Sequence, residues 1–443
     1  MAEGKIETNH NAMTLCTRYI LSTTLISIIS IAAAHAATDG TVADSAALPL
    51  PTDTTVCTGP AQSKFGQKLD KWTSSRLYQM TSIGVPLIVG GLIVKGEDTH
   101  FRNLRNDYLP EFRNRADNYI QLVPAAVLLG LKTAGVKGRS SWGRMLVSDA
   151  FSAAIMGGVV KGLKHTTNVM RPDGADNHSF PSGHTATAFM TATMLTKEYG
   201  HKSPWIGIGA YTAASATGIM RVVNNKHWLS DVMTGAGIGI LSTELGYFIA
   251  DIIFKDKGIN AMPAQRQYDM LDKPSFVSLY VGVNIPLSKY DIDESAEFKT
   301  SSGSSAGVEG AYFFNPYIGI GGRFAVSNTQ IVVNGDKAED NTFDAMTACG
   351  GAYLSYPLSR RWLIGSKLLS GFIHYPHLTL SEHDISVRNG VCFGSGLSAT
   401  FKAHDSYGMR FFVDYNLQPS HNKDSGEWMN VLTGGISFAV MLH

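Results

Sequence analysis

Residues 409–417 read Met-Arg-Phe-Phe-Val-Asp-Tyr-Asn-Leu, and this stretch indicates how the C-terminal part of the chain folds. Phe411, Val413, Tyr415 and Leu417 alternate with the residues between them. Strict alternation over such a length predicts a β-strand with one apolar face. The same period recurs from residue 275 onwards, and it predicts about eight antiparallel strands, which begin near residues 275, 306, 317, 346, 361, 394, 409 and 429.

The connections between these strands alternate in length. Short turns fall at residues 315–316, 358–360 and 403–408, whereas long polar loops fall at residues 288–304, 327–345, 376–391 and 419–428. An even number of strands joined in this rhythm resembles a bacterial outer-membrane β-barrel, here over residues 275–443, with a soluble antiparallel barrel as the alternative. About eight strands enclose only their own side chains, so we expect an anchor and not a channel. An integral barrel would make the barrel-assembly machinery a partner.

Residues 72–254 have a helical pattern instead. Six apolar runs predict an all-α bundle of about six helices, and they centre on residues 83–94, 120–131, 146–163, 185–199, 205–220 and 232–254. Only the first and the last run approach the roughly 20 apolar residues that a membrane span requires. Gly235 and Gly239 are four residues apart, a spacing typical of tight helix contact.

The N-terminal segment has the features of an export signal. Arg18 precedes an apolar run over residues 19–34, which ends in the small-residue pattern Ala34-His35-Ala36. This pattern predicts a secretory signal peptide at residues 1–36, with an uncleaved membrane anchor as the alternative. We expect residues 37–71 to form a flexible leader and residues 255–274 a polar linker between the two domains.

Composition excludes several classes of protein. The 443 residues are 44% hydrophobic and 16% charged, and the net charge is +1. A charged share below the usual value of about 25% indicates buried or lipid-facing surface, and the hydrophobic share is too high for a disordered chain. The balanced charge gives no support to a nucleic-acid partner. Four cysteines fit neither a disulfide scaffold nor a Cys-rich zinc protein.

Three clusters of chemically active residues follow one another between residues 164 and 231. The first is Lys164-His-Thr-Thr-Asn-Val-Met-Arg171-Pro172, and the third runs from Arg221 through His227 to Asp231. Lys164, Arg171 and Arg221 supply three positive charges, and the planar guanidinium group suits phosphate oxygens. These residue types predict a site for a phosphorylated ligand.

The second cluster is Pro181-Ser182-Gly183-His184, directly before the helical run from residue 185. Backbone N–H groups at the start of a helix, with a glycine that allows close approach, form a cradle for an anion. We therefore expect Ser182 and Gly183 to face the same phosphate as the three cations.

His227 and Asp231 stand four residues apart, so they share one face of a helix. A carboxylate that holds one imidazole nitrogen leaves the other nitrogen free as base or nucleophile. His184 is then the second group for proton transfer. The set predicts phosphoryl transfer without a metal or another cofactor, because the cations stabilise the charge that Mg²⁺ stabilises elsewhere.

The three clusters resemble the signature of the type-2 phosphatidic acid phosphatases, a superfamily shared with bacterial class A acid phosphatases and vanadium haloperoxidases. The family pattern is K-x6-R-P, P-S-G-H and S-R-x5-H-x3-D, and the resemblance covers about residues 75–254. Met220 departs from it, because the family has Ser at this position. The missing hydroxyl removes a hydrogen bond beside Arg221, which puts rate and substrate geometry in doubt more than the reaction.

The resemblance implies a role for each matched residue. His227 would be the nucleophile that forms a phosphohistidine, and Asp231 would orient it. His184 would protonate the leaving oxygen and then deprotonate the attacking water. The phosphoryl oxygens would be held by Lys164, Arg171, Ser182, Gly183 and Arg221.

The expected function is that of a metal-independent phosphatase acting on a lipid of the cell envelope, of the lipid A, phosphatidic acid or undecaprenyl pyrophosphate class. The signal peptide and barrel resemble those of Gram-negative lipid A phosphatases of this superfamily. Two alternatives stay open: a periplasmic acid phosphatase tethered to a barrel, and a vanadium haloperoxidase. We expect the outer membrane as location, with the catalytic domain facing the periplasm, and the inner membrane as the alternative.

Overall fold

The computed structural model describes residues 63–261, 272–287, 298–333, 342–375, 378–380, 383–385, 389–404, 407–420 and 428–442. The contacts reported below lie within one compact unit, Gln62–Arg105 with Arg113–His443. The predicted signal peptide, residues 37–62 of the leader and residues 262–271 of the linker lie outside the described residues.

The helical part contains more helices than the apolar runs predicted. The described residues between 64 and 254 form ten α-helices: α1 (Lys64–Thr73), α2 (Arg76–Thr81), α3 (Gly84–Val94), α4 (Asp98–Tyr108), α5 (Asp117–Ile120), α6 (Val123–Thr133), α7 (Trp142–Thr167), α8 (Gly183–Tyr199), α9 (Pro204–Val223) and α10 (Leu229–Phe254). The six predicted runs fall on α3 and on α6 to α10. The other four helices are short or polar and carry no long apolar run. Residues 64–71, which we expected in the leader, belong to α1, because Ser63 caps its first turn by accepting a hydrogen bond from Gly66 N.

Three of these helices are long and apolar enough to cross a membrane. Among the described residues they are α7, α9 and α10, with 26, 20 and 26 residues. The expectation for the last run is confirmed. The expectation for the first run is wrong, because α3 ends after 11 residues, where the polar segment Lys95–Glu97 begins. It was also wrong to leave out the runs on α7 and α9.

Glycines bring α10 against α8. A Cβ on Gly239 would lie 2.3 Å from the carbonyl oxygen of Ala186, and one on Gly235 would lie 2.5 Å from that of Ser182. Only a residue without a side chain allows the two backbones to approach this closely. The predicted tight contact is confirmed, and it sets the start of α8 beside the start of α10.

The C-terminal part is a closed antiparallel barrel of eight strands, as predicted. The strands are β1 (Ser275–Pro286), β2 (Phe298–Phe313), β3 (Ile318–Val333), β4 (Thr342–Pro357), β5 (Trp362–His374), β8 (Gly390–His404), β9 (Tyr407–Pro419) and β10 (Trp428–Leu442), with a small hairpin of β6 (Leu378–Leu380) and β7 (His383–Ile385) outside the barrel. Pairing of β1 with β10 closes the sheet. Strands β2, β4 and β8 begin several residues earlier than predicted, and at the start of β2 Ser, Thr and Gly interrupt the apolar alternation.

Charged side chains fill the interior of the barrel. Lys367 Nζ lies 2.6 Å from Glu309 Oε2 and 2.8 Å from Asp414 Oδ2, and Arg323 Nη1 donates to Asp414 at 2.7 Å. Arg410 adds a second cation beside Glu309. A buried network of this kind requires each charge to be paired. The packed interior agrees with an anchor more than with an open channel.

The outer wall of the barrel is apolar, and the helical part covers one section of it. Large exposed side chains include Leu368 and Leu397, at 67% and 65% exposure. Where β9 begins, Tyr407 instead contacts α9: its ring centroid lies 4.2 Å from that of Tyr211, and the two hydroxyls are 3.2 Å apart. Phe438 on β10 packs against the same ring pair. A further contact joins Asn328 Nδ2 to the carbonyl oxygen of His100 at 2.8 Å.

Candidate active site

The three sequence clusters lie at the ends of four packed helices. Lys164 belongs to the last turn of α7, His184 to the first turn of α8, Arg221 to the last turn of α9 and Asp231 to the first turn of α10. Because α8 and α10 touch at their glycine contact, these ends meet. The backbone confirms this approach: Ser182 N donates to the carbonyl oxygen of Asp231 at 3.0 Å.

His227 and Asp231 form a buried pair. His227 Nδ1 lies 3.2 Å from Asp231 Oδ2, and the two residues are 2% and 0% exposed. The same carboxylate oxygen accepts a hydrogen bond from Trp228 N at 3.0 Å and one from the hydroxyl of Ser179. The ring of His227 is therefore oriented by a carboxylate that is itself held by two donors. Its Nε2 makes no hydrogen bond to any residue that the structure describes.

Burial determines the protonation of His227. Desolvation lowers the pKa of this imidazole to about 4, Asp231 opposes the shift, and Arg221 and Arg171 add to it. The ring is neutral at neutral pH. A neutral imidazole with a free Nε2 carries the lone pair that a nucleophile needs.

The start of α8 differs in detail from the predicted cradle. Ser182 is the N-cap residue: its hydroxyl accepts from Thr185 N at 3.4 Å and pairs with the Thr185 hydroxyl at 2.9 Å. The backbone N–H of Ser182 donates to the carbonyl oxygen of Asp231, so its hydroxyl and its N–H both already have partners. Gly183 and His184 begin the helix, and their N–H groups have no acceptor within it. These two residues, more than Ser182, offer free donors to an anion.

Each of the three cations is oriented by an oxygen partner. Arg171 Nε donates to Asp176 Oδ1 at 2.8 Å, and Arg221 Nη1 donates to Asp117 Oδ2 at 2.7 Å. Lys164 Nζ donates to the carbonyl oxygens of residues 178 and 179. Each contact occupies some of the N–H groups of the cation and fixes the orientation of its side chain. The charges of Asp176 and of Asp173, which pairs with Lys226, are preserved, because nearby cations and backbone N–H groups lower their pKa despite some burial.

His184 lies among all three cations. Its Nε2 is 2.9 Å from Asn118 Oδ1, whereas its Nδ1 makes no hydrogen bond to a described residue. Burial lowers the pKa of this imidazole below its ordinary value; Arg221, Arg171 and Lys164 lower it further, and only Asp117 opposes them. A weakly basic imidazole is a strong acid when protonated, so this environment suits a proton donor.

Sequence reasoning missed three residues that contact the predicted set. Ser179 donates to Asp231, Asp117 pairs with Arg221, and Asn118 contacts His184. Asp117 and Asn118 lie on the four-residue helix α5, about a hundred positions from Arg221, and no motif marks them. Ser179 stands two residues before the second cluster, and only its short distance from that motif could have drawn attention to it. His178, in the loop before α8, is exposed, and the centroid of its ring lies 5.8 Å from that of His165.

A second buried carboxylate supports the start of α10. Asp98 Oδ1 accepts from Ser230 N at 3.0 Å, and its other oxygen accepts from the Ser230 hydroxyl. Burial raises the pKa of Asp98 to about 6 in spite of these donors. The helix end that carries Asp231 is thus held from the side of α4.

Comparison with known proteins adds a family and one clear relative. Residues 145–251 match the family model of the PAP2 superfamily. The chain is 39% identical over 279 residues to a protein of Porphyromonas gingivalis named lipid A 1-phosphatase, and the match spans 62% of each chain, so this chain covers less than two thirds of that relative.

Two solved structures are each similar to part of the chain. The crystal structure of Aquifex aeolicus LpxE is 22% identical and covers 33% of this chain and 91% of that one, with a TM-score of 0.26. The crystal structure of Neisserial surface protein A (NspA) is 14% identical and covers 38% of this chain and 97% of that one, with a TM-score of 0.27. The family model spans Lys164, the second cluster and His227 with Asp231, so this part of the chain is similar to the PAP2 superfamily.

Proposed function

We propose that this protein is a phosphatase that removes phosphate from a lipid through a phosphohistidine on His227. One observation carries the proposal. His227 is held by Asp231 through Nδ1, and its Nε2 is left without a hydrogen bond to any described residue, with Arg171 and Arg221 close enough to lower its pKa. A free, neutral nitrogen among fixed cations suits in-line attack on a phosphoryl group.

The reaction proceeds in two steps. His227 Nε2 attacks phosphorus, the bond to the leaving oxygen breaks, and protonated His184 gives its proton to that oxygen. Water then attacks the phosphohistidine, His184 takes a proton from it, and phosphate leaves. Lys164, Arg171 and Arg221, with the N–H groups of Gly183 and His184, stabilise the negative charge on the phosphoryl oxygens. Ser182 contributes by capping α8, and Asp231 stabilises the positive imidazole of the intermediate.

The lipid nature of the substrate is supported by the surface around the site. Val159 on α7 and Met170 in the loop that follows it are close to Lys164 in the chain, and both expose apolar side chains, at 41% and 50%. Such surface is compatible with contact to acyl chains. The similarity to a protein named lipid A 1-phosphatase favours lipid A among the three candidate lipids, ahead of phosphatidic acid and undecaprenyl pyrophosphate.

We also propose that the barrel is integral to the outer membrane, and that the catalytic domain lies towards its periplasmic side and partly in lipid. The apolar outer wall and the charged, filled interior support insertion. The Tyr407–Tyr211 contact lies beside the short turn between β8 and β9, and short turns are periplasmic in such barrels. Insertion would require the barrel-assembly machinery as a partner.

The test of the reaction uses the full chain in detergent. Phosphate release is compared for lipid A, phosphatidic acid, undecaprenyl pyrophosphate and p-nitrophenyl phosphate. We expect one lipid to exceed p-nitrophenyl phosphate by at least about tenfold in kcat/KM, or roughly 1.4 kcal/mol. Equal turnover of p-nitrophenyl phosphate would favour the acid phosphatase instead, and halide oxidation with added vanadate would favour the haloperoxidase.

The test of the intermediate uses two histidine variants. His227→Ala should lose several orders of magnitude in rate and should no longer retain labelled phosphate after rapid quenching. His201→Ala, an exposed position outside the three clusters, should behave as the unmodified protein. Full activity of His227→Ala would refute the proposed nucleophile.

The test of location uses cells. The protein should fractionate with the outer membrane, and a protease added to intact cells should cut between β3 and β4 but spare the catalytic domain. Fractionation with the inner membrane alone would contradict this location while leaving the reaction intact.

A further inference from the structure

The two histidines of the site have partners of different charge. His227 contacts a carboxylate, Asp231, through Nδ1 at 3.2 Å. His184 contacts an amide, Asn118, through Nε2 at 2.9 Å. In both rings the opposite nitrogen makes no hydrogen bond to a described residue. Each ring is therefore held by one nitrogen, Nδ1 in His227 and Nε2 in His184, and the two partners differ in charge.

We propose that Asn118 is a positioning residue for His184: its Oδ1 holds the ring with a proton on Nε2 and directs Nδ1 to the substrate. The inference rests on the proposed function and goes beyond it, because no family cluster includes helix α5. An amide oxygen accepts a hydrogen bond as well as a carboxylate does, but it carries no charge. It orients the ring without stabilising the protonated form as strongly.

The charge of each partner matches the task of the histidine that it holds. His227 must carry a positive charge in the phosphoenzyme, and a carboxylate stabilises that charge. His184 must release its proton within each cycle, and a carboxylate at Nε2 would hold the proton back. Asp117, the neighbour of Asn118, has the charge but is 2% exposed and paired with Arg221 at 2.7 Å. Helix α5 thus presents a charged residue to the cation and a neutral residue to the acid.

The charges around His184 come from every element that packs against it. Arg221 on α9, Arg171 in the loop before α8 and Lys164 on α7 disfavour its protonated form, and Asp117 on α5 favours it. A carboxylate in place of Asn118 would be a second acidic group, and the only one in contact with Nε2. An opposite charge at hydrogen-bond distance raises the pKa of an imidazole by roughly one unit or more.

The experiment measures the pH dependence of kcat/KM for three variants on the best lipid substrate. Asn118→Asp should move the alkaline limb upward by about one unit or more. Asn118→Ala should move that limb downward and lower kcat by about tenfold or more, because His184 loses its orientation. Gln121→Glu adds a carboxylate of similar size on the same segment, where the Gln121 side chain donates to the backbone oxygen of Asn118, and it should leave the profile unchanged.

The outcomes separate this inference from the proposed function. Asn118 is exposed, so both Asn118 variants should fold, and a thermal unfolding measurement on each variant would check this. An alkaline limb that stays in place in Asn118→Asp would refute the positioning role, although the reaction still depended on His227. An equal upward shift in Gln121→Glu would refute it too, because a general effect of negative charge would then explain the result. Activity that survives His227→Ala would overturn the proposed function itself.

Discussion

Replacing Asp231 with Asn tests the His227–Asp231 pair on which the proposed catalysis depends. The substitution keeps the size and shape of a side chain that is fully buried, and it removes the charge that faces His227 Nδ1 at 3.2 Å. The free energy of unfolding should change little, whereas the rate of phosphoryl transfer should fall. An amide oxygen can still accept from Trp228 N and from the hydroxyl of Ser179.

The size of the effect follows from the distance. Coulomb's law with an effective dielectric constant of about 20 gives roughly 5 kcal/mol for two unit charges 3.2 Å apart. The imidazole is neutral before attack and positive afterwards, so most of this energy belongs to the transition state and the intermediate. A loss of that size corresponds to about 10³- to 10⁴-fold in the rate of phosphoryl transfer.

The assay is single-turnover phosphate transfer at a pH where His227 is neutral. Asp173→Asn serves as a matched control, because Asp173 pairs with Lys226 at 2.6 Å and does not contact either histidine. We expect the control to remain within about twofold of the unmodified protein, as befits a partly exposed ion pair. A rate for Asp231→Asn within tenfold of the unmodified protein, in a variant that unfolds normally, would refute the electrostatic argument.

Further predictions concern pH, packing and metal removal. The plot of kcat/KM against pH should be bell-shaped, with its maximum at acidic pH. Activity is lost below about pH 4, where His227 takes up a proton. It also falls as pH rises through the pKa of His184, which lies below 6.5. Gly239→Ala should lower the free energy of unfolding by about 1–3 kcal/mol or prevent folding, because its Cβ would lie 2.3 Å from a backbone oxygen. Gly209→Ala is the control: its Cβ would meet nothing within 4 Å, and the variant should be neutral in the same thermal unfolding measurement. Phosphate release should be unchanged by EDTA, since arginine and lysine stabilise the transferred group; loss of activity that Mg²⁺ or Zn²⁺ restores would contradict this.

The sequence predicted those features that depend on the spacing of residues close together in the chain. The spacing of His227 and Asp231 predicted the side-chain contact that the structure shows. The predicted shared helix face is wrong, because α10 begins at Leu229 and His227 precedes it. Alternation predicted eight strands, and eight strands close the barrel. These features depend on periodicity, which is visible in a single chain.

The parts that were not predicted depend on tertiary contact. Asp117 and Asn118 reach the site from a short helix distant in sequence, and only the packed fold shows which side chain each one meets. The early part of β2 was missed because its sequence, rich in Ser and Thr, lacks apolar alternation. Helix α4 was missed for a similar reason, since it is polar along most of its length.

The contact between Tyr211 and Tyr407 joins residues 196 positions apart. The catalytic helices are synthesised first, while the strands that support them, β9 and β10, are synthesised last, and β10 also closes the sheet against β1. As the chain folds, the helical part therefore lacks these contacts until its own C-terminal segment is present. A frameshift within β10 would remove none of the three sequence clusters, yet it would leave both an open sheet edge and an uncovered aromatic face on α9.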